Sequence, residues 1–305
     1  NAEMRRVMKK LLAVLLTAAM TMAMLTACGS STEATDTTTE TTEAEADTTT
    51  DDAAVEETAE AADAAEETAD TEAAVSEALA DGMLTAGTNA EFPPFEYVGD
   101  DGEADGFDIA LIKAIGEKLG VDVQVDNMEF ASLVSSIGNK IDVAIAGMTI
   151  TDERKEAVDF SEPYYEAVQY VLLPEGSEIA TAEDLKNKTI GVQLGTTGDF
   201  IASDIEGTTV NTYNKGVDAV NDLINGRVDC VIIDKNPALV FESKFQDDGS
   251  KITAVDGAQF EFEPEYYAIA VPKGDTALVD AINKAIEELK ADGTFDELVK
   301  TYIEE

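Results

Sequence analysis

The 305-residue chain contains no histidine. A nucleophile relayed through an imidazole is therefore excluded. There are only two cysteines, Cys28 and Cys230, so the chain has no disulfide framework. Cys230 lies inside the apolar run Val228-Asp-Cys-Val-Ile-Ile233 and reads as a small core residue. Basic residues are scarce: 20 Lys and Arg stand against 64 Asp and Glu, a formal charge of −44. Nucleic-acid binding needs a basic footprint, and this composition has none. No metal cluster, phosphate loop or nucleophile–base pair is evident, so neither a metal nor a cofactor is expected.

The acids are unevenly spread. Residues 29–80 consist almost wholly of Thr, Ala, Glu, Asp and Ser, with 17 acids, no Lys or Arg and no aromatic residue. Such a segment cannot bury enough apolar surface to offset its conformational entropy, and residues 28–80 are expected to form a disordered tether. As a flexible chain it would span roughly 40 Å. Ahead of it, Met4 is followed by Arg5, Arg6, Lys9 and Lys10, then by an apolar run from Leu11 to Leu25. This is the layout of an export signal over residues 1–27, shorter than the roughly 20 apolar residues of a membrane span. Asn1 to Glu3 read as an upstream or misplaced start. The segment Leu25-Thr-Ala-Cys-Gly29 resembles the lipobox of bacterial lipoproteins, which implies cleavage before Cys28 and a lipid on its thiol. Cys230 would then be the remaining thiol.

From Asp81 onward about 225 residues remain, with 46 acids and 16 bases. Strand and helix patterns alternate. Met83–Thr88, Val121–Val125 and Ile141–Ala146 read as strands. Between them Phe107–Leu119 repeats apolar residues at helical spacing, and a short helix is expected at Leu133–Ile137. The pattern is that of a βαβαβ lobe with a parallel sheet. A second series follows, with strands at Val168–Leu173, Thr189–Gln193, Thr209–Tyr213 and Asp229–Ile233. Its helices are expected to open at Thr181, to pass through Phe200 and Ile201, and to cover Val217–Ile224 and Pro237–Lys244. A strand at Tyr266–Val271 and helices at Thr276–Ala291 and Thr294–Ile303 close the chain and are expected to return to the first lobe. The fold class is α/β, in two lobes: 81–165 with 268–305, and 166–267 with the crossing strands. A cleft between such lobes is a preferred ligand site.

One segment carries the most chemistry. After an apolar strand come Gly147, a turn at Thr149-Ile-Thr151, and a short helix opened by Asp152 and Glu153 with Arg154 in its first turn. Thr151 is a suitable N-cap. A guanidinium beside a helix start suits a carboxylate, which Arg grips with two parallel bonds. Locally, Arg154 reads equally well as a surface residue pairing with Asp152 or Glu162.

The motifs Thr88-Asn-Ala-Glu-Phe-Pro-Pro-Phe-Glu-Tyr97, Gly106-Phe-Asp108, Ala146-Gly-Met-Thr-Ile-Thr-Asp-Glu-Arg154, Asp159-Phe-Ser-Glu-Pro-Tyr-Tyr165, Val192-Gln-Leu-Gly-Thr196 and Val271-Pro-Lys-Gly274 occur in fixed order. In these the chain resembles the extracytoplasmic amino-acid-binding proteins of ABC transporters, over residues 82–305. The resemblance implies a hinged two-lobe fold closing on one free amino acid, with hinge strands near Tyr164–Val168 and Glu263–Tyr267. It implies that Arg154 holds the α-carboxylate with N–H groups of Thr149 and Thr197, in a cavity that Ala146 also lines. Asp234, the Gly147 carbonyl and the Thr149 hydroxyl would take the α-ammonium, and Phe92 and Phe130 would flank the side chain. Asn89 and Gln193, neutral where relatives often carry charge, point to a polar uncharged side chain such as glutamine. Glu91 near the mouth keeps a basic side chain as the next choice. The implied partners are a membrane permease and its ATPase, with the protein a monomer anchored outside the cell membrane. The rivals are a cyclohexadienyl-dehydratase-like enzyme on the same fold and a ligand-sensing input protein.

Overall fold

A computed structural model describes residues 76–304 except Asp248. The export signal, Cys28 and most of the acidic tether lie outside the described residues. The tether expected to reach residue 80 gives way earlier. Ser76 donates to Asp275 Oδ2 at 2.6 Å and caps a 3-10 turn at Glu77–Leu79, whose Leu79 packs on the core.

Two five-stranded sheets organise the fold. In the first, the order is Asp122–Asn127, Met83–Thr88, Val143–Ala144, Ala270–Pro272, Val158–Phe160. In the second it is Thr209–Tyr213, Thr189–Gln193, Cys230–Asp234, Gln169–Pro174, Ile252–Asp256. Each sheet is parallel across its first three strands and antiparallel beyond them. The three strands expected to form a parallel sheet do so, and two further antiparallel strands make the whole sheet mixed. Ala270–Pro272 arrives from the far end of the chain and runs against both of its neighbours.

Amphipathic spacing explains how the helices dock. In Phe107–Leu119 the residues Phe107, Leu111, Ile112 and Ile115 are fully buried. The helix stops at Gly120, which takes the left-handed conformation that favours glycine (φ 72°). Thr276–Asp292, capped by Asp275, and Thr294–Tyr302 both pack against it, so the chain's end completes the first half. Phe295 meets Phe107 edge-on at 5.7 Å, and Lys118 reaches Asp292 at 2.6 Å.

Several boundaries depart from the sequence expectation. The strand expected over Ile141–Ala146 pairs only at Val143–Ala144. The strand expected over Tyr266–Val271 breaks in two. Glu265–Tyr267 pairs with Tyr165–Ala167, and Ala270–Pro272 joins the first sheet. Between them the Ala268 N–H donates to the Met148 carbonyl and the Ile269 N–H to Ser161 Oγ, which turns the chain from one sheet to the other. A hairpin of Glu91–Phe92, Glu96–Val98 and Ala104–Asp105, and the edge strands Val158–Phe160 and Ile252–Asp256, had no counterpart in the periodicity.

Cys230 is fully buried, and burial pushes its thiol up to about 12, which makes it inert. No helix among the described residues is long and apolar enough to cross a membrane.

Phe95 sits where the halves and the crossing strands meet. Its ring lies 4.9 Å from Tyr165, 5.2 Å from Tyr267, 5.9 Å from Phe92 and 6.2 Å from Phe107. Phe95→Ala should cost about 3–5 kcal/mol through lost burial and the cavity it leaves. In urea denaturation the midpoint should fall with the slope unchanged.

Candidate functional site

Arg154 is placed by its local sequence. Thr151 Oγ1 accepts the Arg154 N–H at 3.1 Å and so starts the helix Asp152–Ala157. The side chain turns inward and only 7% of the residue is exposed. Its Nη1 donates to the Thr149 carbonyl at 2.6 Å and its Nη2 to the Gly195 carbonyl at 3.0 Å. The guanidinium also lies over the Phe130 ring, 5.4 Å from its centroid. The surface alternative fails: Asp152 pairs with Lys155, and no carboxylate among the described residues lies within salt-bridge range of Arg154. Burial pulls its pKa down to about 10, against the opposing pull of Glu265, Asp234, Glu153 and Tyr267. The group stays charged at neutral pH, and two carbonyls solvate it without neutralising it.

Asp234 ends the apolar strand Cys230–Asp234 and is 6% exposed. Its Oδ1 accepts a hydrogen bond from the Tyr267 hydroxyl. Burial, then the nearby Glu265 charge, raises its pKa to about 7, although the bonds from Tyr267 and Gln169 favour the ionised form.

All ten residues singled out from the sequence line one narrow cavity, whose free volume of about 10 Å³ is room for little more than a water molecule: Asn89, Phe92, Phe130, Ala146, Gly147, Thr149, Arg154, Gln193, Thr197 and Asp234. Gly147 has φ 52°, and a Cβ there would stand 2.8 Å from the Phe92 ring, so glycine is required both for conformation and for space. The two amides are already engaged with each other. Gln193 Nε2 donates to Asn89 Oδ1 at 2.8 Å and to the Asn214 carbonyl at 3.0 Å, and Asn89 Nδ2 donates to the Met128 carbonyl. Glu91 is paired with Lys215, which lessens its pull on a basic ligand. Away from the crossing strands, the polar contacts Arg154 to Gly195, Gln193 to Asn89 and Lys215 to Glu91 join the two halves.

Two lining residues, Glu96 and Thr196, were not anticipated. Thr196 caps the helix Thr197–Asp204. Glu96 is fully buried beside Asp108. Asp108 Oδ2 accepts the Gly147 N–H at 2.7 Å and the Tyr164 hydroxyl at 2.8 Å, so it fixes the Gly147 peptide. Burial lifts Asp108 to about 6. Burial and the Asp108 charge hold Glu96 well above the usual carboxylate range. Among the described residues neither Glu96 oxygen nor Asp108 Oδ1 meets a donor, and one proton held between the two carboxyls would satisfy two of these three oxygens. The signal for Glu96 was an acid between two aromatics inside an otherwise assigned motif.

Comparisons with known proteins agree with this architecture. Residues 84–305 match the model of "Bacterial extracellular solute-binding proteins, family 3". The L-cystine-binding protein TcyJ of Escherichia coli K12 is 35% identical over 221 residues, 71% of this chain and 81% of that protein. The arginine-binding extracellular protein ArtP of Bacillus subtilis is 35% identical over 225 residues, 72% of this chain and 85% of that protein. Among solved structures, an ancestral arginine-binding protein bound to arginine superposes with a TM-score of 0.68 at 42% identity, covering 73% of this chain and 98% of that one. Another structure of an ancestral arginine-binding protein, bound to glutamine, gives 0.66 at 42% identity, covering 73% and 99%. These relatives are binding proteins, not enzymes. With its two mixed sheets, paired crossing strands and polar cavity, the chain belongs to the bacterial extracellular solute-binding proteins, family 3.

Proposed function

We propose that the protein binds one free polar L-amino acid between its lobes, closes on it, and delivers it to a membrane permease driven by an ATPase. The observation that carries this reading is a buried, charged Arg154 with no carboxylate partner, sharing a small cavity with the buried Asp234. A zwitterion supplies the anion that the first needs and the cation that the second needs. In this reading Arg154 takes the α-carboxylate with N–H groups of Thr149 and Thr197. Asp234, the Gly147 carbonyl and the Thr149 hydroxyl take the α-ammonium. Phe92, Phe130 and Ala146 cover the apolar part of the ligand.

Asn89 and Gln193 favour an amide side chain, and glutamine is the first assignment. A basic side chain is the second. It is supported by the arginine-binding relatives and by the acids Glu96, Asp234 and Glu265 near a single Arg. Closure would turn on the paired strands Tyr165–Ala167 and Glu265–Tyr267, which connect the two sheets. The lobes would comprise 81–165 with 268–305, and 166–267. A lipid on Cys28 and the acidic tether would hold a monomeric domain near its permease, outside the cytoplasm.

A thermal-shift screen of the twenty amino acids, followed by calorimetry, tests the assignment. Glutamine should give the largest shift. Tight arginine binding with no response to glutamine would move the assignment to basic ligands, and no response to any amino acid would sink the reading. Arg154→Ala should weaken binding by about 2–5 kcal/mol, because a buried carboxylate loses its partner. Unchanged affinity would remove Arg154 from the site.

Acidity provides a further check. In the folded state Asp234 is raised to about 7, so the folded protein holds a proton that the unfolded chain has already lost above its ordinary value near 3.8. This group's contribution to unliganded stability is therefore full at low pH and is lost as the pH rises through about 7. Ammonium binding needs the carboxylate, so affinity should fall as the pH drops below about 7. Binding should release protons in that range, detected by calorimetry in buffers of different ionisation enthalpy, and Asp234→Asn should abolish the release.

A further inference from the structure

We propose that Glu265 is a positioning residue for the ammonium end of this site: its carboxylate takes the hydroxyl protons of Thr149 and Thr197 and so leaves both oxygens as acceptors. The proposal rests on the amino-acid reading above. Glu265 lies on the crossing strand Glu265–Tyr267, opposite Ala167 of the companion strand. A single oxygen, Oε2, collects three donors: Thr149 Oγ1 at 2.7 Å, Thr197 Oγ1 at 2.8 Å and Gln169 Nε2 at 3.4 Å. Gln169 Nε2 also donates to Thr197 Oγ1 at 3.1 Å. These donors come from the turn of the first half, the first residue of a helix in the second half, and the strand Gln169–Pro174 of the second sheet.

Proton counting then sets the polarity of the cavity. A hydroxyl has one proton and two lone pairs. Thr149 and Thr197 both line the cavity, and both spend their proton on Glu265. What each can still offer a ligand is a lone pair, and Thr197 has already used one of its two on Gln169. A lone pair attracts an ammonium and repels a carboxylate. Without Glu265 either hydroxyl is free to rotate and donate to a carboxylate, and the two ends of a zwitterion become less distinct. With Glu265 in place, carboxylate-binding capacity is confined to the Arg154 side. Its negative charge acts in the same sense, supporting the charged form of Arg154 and adding to the negative field at Asp234. Because Glu265 stands on a strand that joins the sheets, this polarity is set by the element about which closure would occur.

The test uses the full chain and calorimetric titration with L-glutamine and L-arginine. For whichever of the two the wild type binds, Glu265→Gln should weaken affinity by tenfold or more. Thr149→Val should weaken it too, and the double variant should lose less than the sum of the singles, because both changes remove the oriented Thr149 hydroxyl. Thr149→Ser, which keeps the hydroxyl, should bind like the wild type. Equal or tighter binding by Glu265→Gln, or fully additive losses in the double variant, would overturn the proposal. A merely structural Glu265 would lower the melting temperature and leave Kd unchanged, which also overturns it. Should Glu265→Gln not fold, Glu265→Asp, with its charge drawn back by one methylene, must still lose affinity. If the wild type binds neither of these nor any other of the twenty amino acids, the underlying reading fails and the proposal falls with it; if the wild type binds and the variants match it, the proposal alone fails.

Discussion

The arrangement of the cleft depends on one buried positive charge. Moving a guanidinium out of water is costly unless other dipoles and charges replace the water. Here the Thr149 carbonyl from one half, the Gly195 carbonyl from the other and the Phe130 ring do so, while Glu265 and Asp234 act from further away. Its charge is thus unpaired at short range, and the acids that act on it stand farther off. A site of this kind distinguishes a ligand by where its charges sit more than by its total charge. The carboxyl pair Glu96 and Asp108 adds to this by fixing the Gly147 peptide from behind the cavity.

Away from the crossing strands, polar contacts join the halves at Gly195, Asn89 and Glu91. Polar contacts can be exchanged for contacts with water at modest net cost, typically about 1 kcal/mol each. Apolar burial continues from one half to the other in a single cluster, which passes through the aromatic group of Phe95, Tyr165 and Tyr267 beside the crossing strands.

Much of this was legible in the sequence, and what was not has physical causes. The stripe of Phe107, Leu111, Ile112 and Ile115 announced a helix and its buried face, because periodicity survives wherever one side of an element is buried. The motif residues converge on one cavity because they end strands or begin helices at the same edge of each sheet. Strands of two or three residues, such as Glu91–Phe92 and Val158–Phe160, are too short to show alternation. The break at Ala268-Ile269 was hidden because both pieces are apolar, and what separates them is partners contributed by Met148 and Ser161. Glu96 and Glu265 escaped notice for a common reason: in a chain with 64 acids, an acid is unremarkable until its neighbours are known.

The first sheet takes its fourth strand, Ala270–Pro272, and its covering helices from the last part of the chain. The second sheet is complete by Asp256. As the polypeptide emerges from its N-terminus, the half begun first is therefore finished last. Until then the face of Phe107–Leu119 that will meet Thr276–Asp292 stays uncovered. Folding of that half is a late, long-range event governed by loop closure over some 150 intervening residues, with the slow kinetics that distant contacts impose. A chain wired in this way cannot complete the half it begins with until its last helices are available.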